Sequence, residues 1–358
     1  MVRIAPEGVP PAQPLLALGA SVLWALLVPI LGWRGADDWA LLHAVLLGVL
    51  GNAAAGATLQ FGSAALGFPR LFSTAGWGGV LAVFNASLLL MLLGPTAGAP
   101  EWRAIGAPGV AVAWWVVATP LVIGLGRSPG PAAVRYPLML GFVGLAVAAS
   151  LGAIRVLGGE TPGGVALHRT MGLVLGLGGV VLGASRLLLP TLTGVEWRQL
   201  LRLAWPFRRR PLLGVAWLLG GVMSMAALLV FLRPDWGLDA TLPALLVAGA
   251  VALVVPPTAL TVAAFLHWWR LRQQVPRGRQ VPGIDRLLPA RLLGAWLALR
   301  LLALAAWILA MGPAAAPDAR TLALVAESVA AIGLLAAFLF PAWRARRFRL
   351  AAHAFEPS

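Results

Sequence analysis

The chain has 358 residues, with no cysteine and no lysine among them. The first absence excludes disulfides, thiolate metal sites, iron–sulfur clusters and covalent attachment of a c-type haem. The second excludes Schiff-base chemistry and the lysine of phosphate-binding loops, so all 27 basic residues are arginine. Charge as a whole is scarce. Only 11% of residues are charged, against about a quarter in soluble domains. Soluble-type motifs are missing too: no phosphate-binding Gly-rich loop after a strand, no H-E-x-x-H pair and no nucleophile elbow. Nothing among these motifs points to an enzyme.

What fills the chain is apolar. Sixty per cent of residues are hydrophobic and mean hydropathy is +0.88, which excludes a disordered chain. A bilayer core about 30 Å thick needs about 20 apolar residues per helix. Ten such stretches occur, at 14–33, 41–63, 73–94, 107–126, 137–158, 166–189, 212–232, 242–268, 291–311 and 321–341. The fold class expected is an all-α polytopic transmembrane helix bundle forming one integral membrane domain over 1–358. The longest connections, 190–211 and 269–290, are too short to fold separately, so any chemistry takes place within the bundle. The first stretch is too long for a signal peptide, and no small-residue cleavage site follows it before Trp33-Arg34.

Arginine sets the expected orientation. With both termini and the loops after spans 2, 4, 6 and 8 on one face, that face collects 20 of the 27 arginines, including Arg208, Arg209, Arg210, Arg344, Arg346, Arg347 and Arg349. Seven acids fall on the other face, among them Asp37, Asp38, Glu101, Asp235 and Asp239. The positive-inside rule then puts both ends in the cytoplasm of a bacterial inner membrane. Basic residues in short loops beside a membrane meet anionic headgroups rather than nucleic acid. Sixteen Trp against one Tyr, many near span ends, fit an interfacial aromatic belt.

Against this background, ionisable groups within spans mark candidate function. Arg300 in span 9 and Glu327 in span 10 lie on consecutive antiparallel helices, at depths differing by roughly 6 Å at 1.5 Å per residue. They are expected to pair, either as a structural ion pair or as a proton or anion relay using Glu327. Of the four histidines, His353 lies in the basic tail and His267 at the inner interface beside Trp268, Trp269 and Arg270. His43 and His168 each begin a span descending from the outer side. His168 shares a helical face with Gly172, Gly176, Gly179 and Gly183, a stripe that admits either close helix approach or a flat cofactor. On an α-helical period His43 lies about 140° from Gly48 and off the small face of Gly48, Asn52 and Ala55. Two neutral imidazoles could ligate one b-type haem or copper. Asn52, Gln60, Asn85, Thr119 and Ser224 are accounted for by interhelical hydrogen bonds. Pro256-Pro257 is expected to break or kink span 8, as at some transporter sites.

The two His spans end alike, Gly56-Ala57 through Gln60 to Gly67 against Gly183-Ala184 to Gly194. A parallel repeat of 14–126 and 137–268, with two extra spans at 291–341, accommodates this likeness. The segments His43-Ala-Val-Leu-Leu-Gly48 … Gly56-Ala57-Thr-Leu-Gln60-Phe61 … Gly67 and His168 … Gly172 … Gly176 … Gly183-Ala-Ser185-Arg186-Leu187 … Pro190 resemble the His spans of NnrS and of haem–copper oxidase subunit I. The family's Pro after Gln60 is replaced here by Gly62-Ser63. Four histidines also fall short of the six an oxidase needs. The resemblance implies haem b or copper on His43 and His168, a link to respiratory or nitric-oxide metabolism and respiratory-chain or other membrane subunits as partners. It does not imply oxygen reduction. Two other readings stand beside it: a secondary transporter or exporter using Arg300, Glu327 and the Pro256-Pro257 break, and a non-catalytic membrane assembly subunit.

Overall fold

The computed structural model describes residues 12–67, 71–159, 162–193, 211–232, 241–275, 280–310 and 318–353. Its elements are α1 (Ala12–Trp33), α2 (Asp38–His43), α3 (Asn52–Leu66), α4 (Thr74–Leu93), α5 (Glu101–Arg127), α6 (Ala132–Val156), α7 (Gly164–Arg169) and α8 (Gly178–Thr193). There follow α9 (Pro211–Leu232), α10 (Thr241–Gln274), the single turn α11 (Ile284–Leu287), α12 (Ala290–Ala310) and α13 (Ala319–His353). The described residues contain no strand. Nine helical stretches among them are long and apolar enough to cross a bilayer. The seventh expected span is also helical, as α9, with Gly214–Ala227 as a shorter apolar segment. The protein is an all-α multi-pass membrane protein.

Its exposed surface shows why hydrocarbon is the fitting solvent. On α5, Ile105, Val112, Val116 and Ile123 are exposed. On α13, Leu322, Val325, Val329, Ile332 and Leu339 are exposed. A soluble monomer does not present apolar stripes along whole helices; a lipid-facing helix does. Exposed Trp33 and Trp102 stand at helix ends, and exposed Trp343 stands where the apolar run of α13 gives way to arginines, places where amphipathic rings rest at headgroup level. Helix starts are capped where the sequence allows. Asp37 accepts from the Ala40 amide at 2.8 Å and Ser73 from the Gly76 amide at 3.0 Å, each satisfying one of the orphan amides of a first turn. Gly67 ends α3 at φ +70°, a left-handed position that favours glycine.

The two His spans share an arrangement that apolar periodicity does not encode. Each opens with a short α-helix, α2 or α7, passes through eight residues of π-helix (Ala44–Gly51 and Thr170–Leu177), and continues as α3 or α8. The α-helical angle between His43 and Gly48 therefore does not apply, because i→i+5 bonding resets the register between them.

The chain divides into two compact units: Met1–Ala20 with Gly51–Pro206, and Ser21–Leu50 with Phe207–Ser358. In the first, α5 packs on α4 and α6, and α6 packs on the His168 span. Its core holds Trp77, Trp114 and Phe142, all nearly inaccessible. The Phe84 and Trp114 rings meet edge to face at 5.6 Å. The Trp77 indole donates to the Gln13 carbonyl at 3.0 Å.

In the second unit, α9 pairs with α10 and α12 with α13, while α10 also packs on α13. Leu253 and Leu260 of α10, Trp296 and Leu297 of α12 and Leu334 of α13 share its core. Trp24 is buried against Gly48, where a Cβ would collide with the indole. Of the break or kink expected in span 8, a break is not formed: α10 runs on through Pro256-Pro257. Thr258 and Thr261 donate to the carbonyls of Val254 and Pro257 at 2.7 and 2.9 Å. Neither is a carbonyl that the prolines leave without an N–H, which are those of Ala252 and Leu253.

Candidate functional site

Within the second unit, α12 and α13 form an antiparallel hairpin that brings Arg300 and Glu327 together, with Nη1 donating to Oε1. Their side chains are 12% and 9% exposed. Each is surrounded in sequence by small and apolar residues, so neither could be left single: an uncompensated buried charge costs about 3–5 kcal/mol.

The pair borders a cavity of about 40 Å³. A water needs about 10–15 Å³ of such space, so the cavity accommodates three or four waters or one small ion. Each contributing helix supplies its share at helical spacing: Ala25 and Val28 from α1, Ala252 and Pro256 from α10, Trp296 and Arg300 from α12, and Glu327, Ala330, Ala331 and Leu334 from α13, with Val45 and Val49 from the first π segment. All twelve belong to the one unit.

Hydrogen bonding around the cavity is incomplete. Glu327 Oε2, Arg300 Nε and Trp296 Nε1 are buried and have no partner among the described residues. Pro256 adds to this, because it has no N–H to offer the Ala252 carbonyl one turn earlier. Buried polar atoms in folded proteins are almost always satisfied. Here one acceptor and two donors, all on residues that line the cavity, are left without a partner among the described residues. Sequence reading located Arg300, Glu327 and the Pro pair but missed Trp296. Its position four residues before Arg300 puts it on the same helical face, a signal available in the sequence.

The histidines fall in different units, His43 in the second and His168 in the first. His43 closes α2 with Nδ1 2.8 Å from the Trp39 carbonyl, its ring tilted 34° against that of Trp39 with centroids 4.3 Å apart. His168 reaches across to α6, with Nδ1 2.8 Å from the Ala148 carbonyl. A carbonyl only accepts, so Nδ1 donates in both, which in a neutral ring leaves Nε2 as the acceptor nitrogen. The glycine face beside His168 is filled by α6. A Cβ on Gly179 would lie 2.6 Å from the Pro137 carbonyl, and one on Gly144 would lie 2.7 Å from the Gly176 amide. Of the two roles left open for that stripe, close helix approach is the one the packing uses, and a porphyrin does not fit on that face. Among the described residues, no three His, Asp or Glu side chains group as metal ligands.

Asn52 is buried and exchanges a reciprocal amide pair with Asn85, at 2.9 and 3.1 Å, tying α3 to α4. The Gln60 side chain lies outside the described residues. No family model, no curated protein and no solved structure matches the chain.

Proposed function

We propose that the chain is a secondary transporter or exporter whose solute site is the cavity at the Arg300–Glu327 pair. We place it in the cytoplasmic membrane of a bacterium, with its arginine-rich face inside. One observation carries the reading: a charged pair bordering an apolar cavity with one acceptor and two donors unsatisfied among the described residues. Five other buried donors, Nε of Arg103, Arg135 and Arg186 and Nε1 of Trp114 and Trp217, are also without a partner among the described residues, so it is the cavity beside a charged pair that sets this place apart. Intramembrane ionisable residues that face a cavity are characteristic of solute and proton paths.

A transporter must open this cavity to water in at least one state. The chain has no cysteine, so Ala331→Cys introduces the only thiol. Ala331 is 4% exposed and lines the cavity. Ala303, at 0% exposure, does not line it and serves as control. In membrane vesicles a small membrane-impermeant thiol reagent is expected to label Ala331→Cys and to leave Ala303→Cys unmodified. If both stay inert, the pair is a sealed structural feature and the transporter reading fails.

The resemblance to NnrS and haem–copper oxidase subunit I supports a second reading, in which His43 and His168 hold haem b or copper through Nε2. Fixing Nδ1 on a carbonyl is how ligating imidazoles are commonly oriented. This reading requires room for the group away from the filled glycine face. It predicts a Soret band, or bound copper, in protein purified from replete cells; protein without either would remove it.

A further inference from the structure

We infer that the Arg300–Glu327 cavity takes a small monovalent inorganic anion together with one proton. This rests on the transporter reading and names its substrate class and coupling. Arginine stays protonated at any pH the cell meets, so the charge state of the cavity is set by the carboxyl alone. Arg300 and Glu327 are the only ionisable groups among the described residues that line it. While Glu327 is ionised, Arg300 Nη1 is occupied by its Oε1 and the site is neutral. An added anion would then sit beside a carboxylate among Ala, Val, Leu and Pro side chains, where like charges are poorly screened.

A proton delivered to the Glu327 carboxylate removes that charge and loosens the pair. Arg300 is left with an uncompensated positive charge, and its Nε and the Trp296 Nε1 carry N–H groups that no described residue accepts. One anion restores neutrality. The proton and the anion leave together, Glu327 re-ionises, and the pair reforms. The net movement is one proton with one anion, which carries no charge across the membrane. Room for three or four waters fits chloride or nitrate.

The full-length protein in liposomes containing a pH-sensitive dye, given an inward chloride or nitrate gradient, tests the inference. The expected result is acidification of the lumen that persists when the voltage is clamped with potassium and valinomycin. Glu327→Gln, a fixed mimic of the protonated carboxyl, is expected to lose proton movement by at least tenfold and to make anion flux independent of pH. Should that variant not fold, the native protein supplies a second readout. Chloride should change tryptophan fluorescence saturably, and Trp296→Phe should remove that change.

Anion flux without protons, or flux that builds a voltage, overturns the coupling and leaves a transporter. No flux while Ala331→Cys is labelled overturns the substrate class alone. No flux with an inert Ala331→Cys ends both the inference and the reading it rests on.

Discussion

A guanidinium and a carboxylate carry most of the argument at the scale of single residues. Removing one partner leaves the other buried and single. Arg300→Leu or Glu327→Leu alone should therefore destabilise the protein by about 3 kcal/mol, whereas the double variant should regain much of that loss, because an apolar pair of similar volume can replace a buried ion pair at little cost. Unfolding of the four proteins in one detergent checks this. A double variant as unstable as the sum of the singles would mean that the two side chains do not interact. Both charges were legible in the sequence because ionisable groups in apolar runs stand out. Their unsatisfied atoms were not, since the direction in which Nε, Oε2 and the Trp296 indole are left without partners depends on the rotamers that four or more helices impose. The two imidazoles were equally visible, but the aim of each Nδ1–H is set by carbonyls at Trp39 and Ala148, the second on a different helix.

At the scale of elements, glycine decides how closely α6 and the His168 span approach. Gly179 meets backbone on its open side, with the Gly141 amide 2.8 Å from where a Cβ would stand. Backbone cannot swing away as a flexible side chain can. Gly179→Ala should therefore lower stability by about 1–3 kcal/mol, the usual effect of overpacking. Gly221, on α9, has nothing within 4 Å, so Gly221→Ala should be neutral or raise stability by up to about 1 kcal/mol through helix propensity. Thermal unfolding of the two variants side by side checks the contrast, and equal effects would place the close contact elsewhere. Spacing alone showed that Gly172, Gly176, Gly179 and Gly183 share a face, yet it left helix and cofactor as rival occupants. The π segments were invisible for a physical reason: hydropathy reports burial, and an i→i+5 turn buries much the same side chains as an i→i+4 turn. Continuity through Pro256-Pro257 was also beyond the sequence, because it depends on tertiary packing around α10.

For the molecule as a whole, composition decided the class before any residue was placed. Ten apolar stretches of bilayer length all became helices, because in hydrocarbon a segment must satisfy its own backbone hydrogen bonds. The apolar faces that α5 and α13 leave exposed are then lipid-facing surface, and the arginines of the final helix, Arg344, Arg346, Arg347 and Arg349, lie beyond its apolar stretch. The Arg344 and Arg347 guanidiniums stand over Phe340 and Trp343, at 5.8 and 4.8 Å from the ring centroids, as side chains do where hydrocarbon gives way to headgroups. The cysteine-free background makes the central claim directly measurable. A nitroxide on Ile332→Cys, a position 62% exposed, in reconstituted protein should be relaxed strongly by oxygen, which concentrates in lipid, and weakly by a water-soluble nickel chelate. The same label on Arg346→Cys should show the reverse order. Strong relaxation of position 332 by the nickel chelate would mean that water, not lipid, covers that face, and would contradict the membrane-spanning account.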